Sequence, residues 1–201
     1  MNRLLDQFPL RRGAHDRRDD GMCAMEMVAW LAGELHTDEP QCACPVIAAF
    51  VRAFNDLLPD DDARTKLLRP LVPKFVNTRG TVGDERRRGF LVVDAAVRRL
   101  LPHVLQKVGR PAAAAVLAGL SALTDVRTAS AALASMDEVA PEQHATRWML
   151  QRAIEGMAAA RFVPGAMQLV RRANDAEGFA IASAIAEELA QIGNQRRVVI
   201  G

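Results

Sequence analysis

The sequence predicts an all-α protein, a compact helical bundle or α-hairpin array that follows an irregular N-terminal arm. Three observations predict it. The apolar half of the chain is built from Ala, Leu, Val and Met, with aromatics at 4% and tyrosine absent; alanine loses no side-chain entropy in a helix, so this composition favours helices over sheets. Ile181, Ile185, Leu189 and Ile192 recur at helical spacing while Glu177, Glu187 and Glu188 fall off that stripe. Outside the tail "RRVVIG", no stretch keeps the apolar–polar alternation of a half-buried strand.

Met1 to Asp20 reads as the arm, closed by Gly13 and the alternating charges of "HDRRDD". A first helix is predicted over Gly21 to Ala32, with Asp19 or Asp20 as N-cap and Gly33 as stop signal. "ELHTDEPQCAC" is a polar loop, in which Asp38 can accept local backbone hydrogen bonds. Pro45 is suited to the first position of "PVIAAFVRAFNDLL", a helix whose polar residues, Arg52, Asn55 and Asp56, occupy one narrow face. "PDDDARTKLLRP" places three Asp at the positive end of a further helix. "NTRGTVGD" is a loop, and a long helix over Asp84 to Val108 bends at Pro102. Gly109 to Pro111 is a turn before Ala-rich helices at about Ala112 to Leu123 and Val126 to Met136. A longer helix follows Pro141, and Pro164 with Gly165 precedes "AMQLVRRAND". The last helix carries the isoleucine stripe and ends at Gly193 and Asn194, and the tail is expected to extend against a neighbour. The expected organisation is an N-terminal helical unit, 1–108, and an Ala-rich half, 109–201, packed as one domain, with a possible seam at Asn77 to Gly83 or Gly109 to Pro111.

The chain has 201 residues and a net charge of +2. Near-balanced charge excludes strong global attraction to nucleic acid or anionic lipid. No segment reads as a secretory signal or a bilayer span, since "PAAAAVLAGLSAL" is too short and too Ala-rich to cross. Three cysteines, few and odd in number, make no disulfide framework and point to a reducing compartment, so a cytoplasmic location is expected.

The residues that carry chemistry cluster in "GAHDRRDDGMCAMEMVAWLAGELHTDEPQCACP", Gly13 to Pro45, which holds every cysteine and two of the four histidines. On the first helix Glu26 shares a face with Cys23 and Trp30. A thiol in a first turn meets free N–H groups and the helix dipole, which favour its thiolate. With His15 as base and Asp16 or Glu26 as orienting carboxylate, Cys23, His15, Asp16 and Glu26 form a candidate nucleophilic centre. A second reading is zinc on Cys23, His36, Cys42 and Cys44, with His15 as an alternative ligand. The ligand types suit tetrahedral zinc, although C-x-C replaces the usual C-x2-C knuckle. A third reading is packing: free cysteines behave as small buried hydrophobes, and Glu26 pairs with Arg17, Arg18 or Arg52. Separately, Arg79, Arg86, Arg87 and Arg88 around Gly80 and Gly83 form a candidate anion or nucleic-acid contact at a helix start, set against a solvated charged face.

The segment "DGMC" resembles the Asp-Gly-x-Cys helix start of papain-like cysteine hydrolases such as the ovarian-tumour deubiquitinases. The resemblance covers four residues. Those folds take their histidine from a β-sheet beyond the helix, whereas His103 and His144 here fall in helical segments. The longer stretch from "HDRRDDGMCAMEMVAWLAGE" through "CPVIAAFVRAFND" to "LVPKFVNTRGT" resembles a group of small proteins from bacterial and phage genomes over about Gly13 to Thr81. That resemblance implies no particular activity and favours an accessory or interaction role. The leading expectation is thus a helical binding protein with another protein as partner and no cofactor beyond zinc. A thiol- or metal-dependent hydrolase-like enzyme is the alternative, and nucleic-acid contact a third.

Overall fold

The computed structural model describes residues 8–193 and is all-α; among them there is no strand, only an isolated bridge between Leu10 and Met22. The tail "RRVVIG" lies outside the described residues, as does the start of the arm. The chain divides into two compact units, Met1–Asp84 with Ala186–Gly201, and Glu85–Ile185. The division thus differs from the expected 1–108 and 109–201: it falls just after the Asn77–Gly83 candidate seam, and the last helix returns part of the chain to the first unit.

In the first unit the arm is held by its backbone. Arg11 N–H donates to Met22 O at 2.8 Å, Leu10 N–H to Thr65 Oγ1 at 3.1 Å and Gly13 N–H to Asp56 Oδ1 at 2.9 Å. The first helix, α1 (Ala24–Ala32), starts later than expected, because Arg18–Asp20 form a 3₁₀ turn and the N-cap is Cys23, not Asp19 or Asp20. Gly21 makes this possible. Its φ is +129°, and a Cβ there would stand 2.7 Å from Arg11 Cγ and 3.1 Å from His15 Nε2, so only glycine lets the arm fold back. Met25, Met27, Val28 and Ala29 of α1 are wholly buried, and Gly33 ends the helix in the left-handed region as expected.

Helix α2 (Pro45–Leu57) begins with Pro45 at its first position and buries Val46, Ile47, Phe50, Val51 and Phe54. Helix α3 (Asp61–Leu68) is capped by Asp60, whose carboxylate accepts Ala63 N–H at 2.7 Å. Its Arg64 is buried yet fully employed, donating to Asn55 O and Leu58 O, both at 2.8 Å, and to Asp61 at 2.6 Å. One guanidinium therefore satisfies carbonyls that the end of α2 leaves open. The short α4 (Val72–Phe75) packs against α1. Next comes α5 (Val82–Ala95), which begins inside the stretch expected to be a loop.

In the second unit, near the position where a bend is expected, a π-helical segment, Ala96–Leu100, leads into α6 (Leu101–Lys107), which carries Pro102 in its first turn. A proline has no N–H to donate, and a widened turn before it removes the clash with the preceding carbonyls. Gly89 permits a close crossing, since a Cβ there would lie 2.5 Å from Ala159 Cβ. Then follow α7 (Pro111–Ala118), α8 (Val126–Val139), α9 (His144–Ile154), α10 (Val163–Ala173) and α11 (Ala176–Gln191). Neighbours in sequence pack as neighbours in space, α6 on α7, α7 on α8, α8 on α9 and α9 on α10, the pattern of an α-hairpin array. Pro164 and Gly165 lie within the first turn of α10 rather than ahead of it, because proline is tolerated where no N–H is needed. Ile185 and Leu189 of the expected stripe are buried.

Candidate functional site

The corner where the arm meets α1 is organised around one carboxylate. Glu26 is 1% exposed, accepts three hydrogen bonds and has a second imidazole nearby. Its Oε1 takes His15 N–H at 2.6 Å, and its Oε2 takes Cys23 N–H at 2.7 Å and faces His15 Nδ1 at 2.8 Å. His36 Nε2 stands 3.5 Å from Oε1 and 3.0 Å from His15 O. A carbonyl only accepts, so His36 carries hydrogen on Nε2, and an ionised carboxylate only accepts, so His15 carries it on Nδ1. His36 Nδ1 is left buried without a partner. Burial alone raises the carboxyl of Glu26, but the N–H groups of Cys23 and His15 and the His15 ring outweigh it and hold the group below its ordinary range.

Cys23 supplies the cap of α1. Its Sγ accepts Glu26 N–H at 3.4 Å while Glu26 returns to Cys23 N–H, a reciprocal capping box with sulfur where serine or threonine usually stands. The thiol is 3% exposed; burial pushes it up to about 12, and the Glu26 charge adds to the rise. The helix-start environment expected to favour a thiolate is overruled by desolvation and by a facing anion. Of the four expected catalytic residues, the structure gathers His15, Cys23 and Glu26 and leaves Asp16 exposed in the arm.

The expected zinc ligands do not assemble. Among the described residues no group of three or more His, Cys, Asp or Glu is placed to hold a metal ion. Cys44 sits at the N-cap of α2, its N–H on Thr78 Oγ1 at 3.1 Å, and Cys42 N–H donates to Glu34 Oε1 at 2.7 Å. All three thiols are free. Burial, with Glu34 nearby, raises Cys42. His36 Nε2 is taken by the carbonyl of His15. Nor does Glu26 meet an arginine: Arg52 lies 2.5 Å from Glu39 and 3.7 Å from Asp38, and Arg18 stacks 4.9 Å over the Trp30 ring. In the loop it is Thr37, not Asp38, that receives the local bond, from Glu39 N–H at 3.1 Å.

The candidate anion contact is also differently arranged. Asp84 Oδ2 accepts Thr81 N–H at 2.9 Å and Thr81 Oγ1 at 2.8 Å, so the positive start of α5 is closed by its own chain. Arg88 is buried at 1% exposure, Arg86 lies over Phe90 at 5.8 Å, and Arg79 N–H donates to Cys42 O at 2.8 Å. Arg87 has interactions of its own.

Sequence reasoning missed two features. Asn55, assigned to a polar face, is buried and clasps the corner, taking Ala24 N–H at 3.3 Å and donating to Arg11 O at 2.9 Å. In the second unit Asp175 caps α11 through Gly178 N–H at 2.8 Å while meeting His103 Nε2 at 2.9 Å and Lys107 Nζ at 2.5 Å. Lys107 and the Gly178 N–H, with His103, hold Asp175 well below the usual carboxylate range despite the opposing effect of burial. An Asp before a helix is a readable cap signal; its imidazole partner, far away in sequence, is not.

The second unit also has an apolar surface. Helix α7, "PAAAAVLA", bears no polar side chain, yet Val116 is 45% exposed. A depression of about 410 Å³ is lined by Gly109 to Ala113, Val116 and Val139. Arg110, its charged member, is turned to Glu142 and to Val139 O. No helix among the described residues is long and apolar enough to cross a membrane. Neither a family model, nor a curated protein, nor a solved structure matches the chain.

Proposed function

We propose that the chain is a helical protein-binding module whose contact surface is the open face of α7. The observation that supports this reading is a helix without polar side chains, "PAAAAVLA", left partly uncovered beside an apolar depression. A helix apolar on every side is ordinarily enclosed, and uncovered apolar surface of this kind marks contact sites. The lining is aliphatic and its one guanidinium is already paired, so the partner is a protein segment that presents aliphatic side chains. Free thiols suit a reducing compartment, and an accessory role in the cytoplasm belongs to the same reading. The hydrolase-like and zinc-stabilised alternatives gain no support from the corner, where the thiol is buried and raised and the ligands are dispersed.

The test is a pair of exposed-valine variants. Val116→Glu places a charge on the α7 face, and Val82→Glu changes a valine that is 85% exposed in the first unit. A photo-crosslinker placed at Ala112 should trap a discrete partner, the yield should fall at least tenfold in Val116→Glu, and Val82→Glu should leave it unchanged, with circular dichroism confirming that both variants are folded. Equal trapping by both variants, or no discrete adduct at all, overturns the proposal.

A further inference from the structure

We draw no further inference here: the strongest candidate, the buried His15–Glu26–His36 cluster between the arm and α1, belongs to the site already described, and nothing in the structure shows what would face its one unpartnered buried atom, His36 Nδ1.

Discussion

His15 meets Glu26 at 2.8 Å in the first unit, and His103 meets Asp175 at 2.9 Å in the second, but the two carboxylates have different surroundings. Glu26 is 1% exposed and answers N–H groups from the arm and from the start of α1, so it joins those two segments at a buried point. Asp175 is 31% exposed and answers Gly178 N–H at the start of α11 together with His103 and Lys107 from α6. Nearly equal distances therefore do not imply equal contributions. What separates the pairs is how many groups would be stranded, away from water, if the carboxylate were removed.

The largest expected effect follows directly. Glu26→Ala strands two buried N–H groups and an imidazole, and should cost about 3–5 kcal/mol, as for one partner removed from a buried pair. Urea unfolding of the first unit measures it. Asp175→Ala removes an N-cap near solvent and should cost about 1–2 kcal/mol in the second unit, while 0.5 M NaCl should weaken the Asp175–Lys107 contact more than the Glu26 cluster, because exposed charges are screened and buried ones much less.

Acid sharpens the same contrast. The folded carboxyl of Glu26 lies below its ordinary value, so its contribution is complete above the unfolded glutamate pKa of about 4.3 and is lost as pH falls through the lower folded value. Stability of the first unit should therefore decline on acidification below about pH 4.3, and Glu26→Gln should flatten that part of the profile. Asp175 has the same sign and is shifted further, so its loss should come at lower pH.

The smallest effects concern sulfur. Cys23→Ser keeps a capping atom and should change stability by less than about 0.5 kcal/mol, since serine is a preferred N-cap. Iodoacetamide at pH 7.5 should modify the partly exposed Cys42 before the buried Cys23 and Cys44. This is the reverse of the order an activated Cys23 would give.

Much of the fold was legible because local signals sufficed. Pro45, Asp60 and Gly33 each act as proline, aspartate and glycine do at helix ends, and the Ala-rich hairpins needed no distant partner to be recognised. The start of α1 misled because Asp19 and Asp20 are better caps by type than cysteine, yet the sharp turn at Gly21 places them outside the helix. The first boundary, at Asp84, falls one residue past the Asn77–Gly83 seam, whereas the second was hidden because Ile185 lies inside a helix, without a linker to mark it. At the corner, the apolar setting of Glu26 showed that it required a partner. That the partners are His15 and His36 rather than an arginine depends on the path of the arm, and no spacing in the sequence encodes it. Asn55 was invisible for the same reason: a buried amide and a solvated one look alike until the backbone groups they bind are in place.

The central claim is that Glu26 fastens the arm to α1 more firmly than Asp175 fastens the start of α11. The chain has two tryptophans, Trp30 and Trp148, one in each unit, so their indole N–H resonances follow the units separately without further mutation. The decisive measurement is urea unfolding at pH 7 read at both resonances for Glu26→Gln and Asp175→Asn. The expected result is a loss of about 1–3 kcal/mol at Trp30 in Glu26→Gln, the cost of unsatisfied buried groups, with less than about 1 kcal/mol at Trp148 in Asp175→Asn. A Trp30 transition in Glu26→Gln that matches the unmutated protein, or a larger loss in Asp175→Asn, would contradict the account.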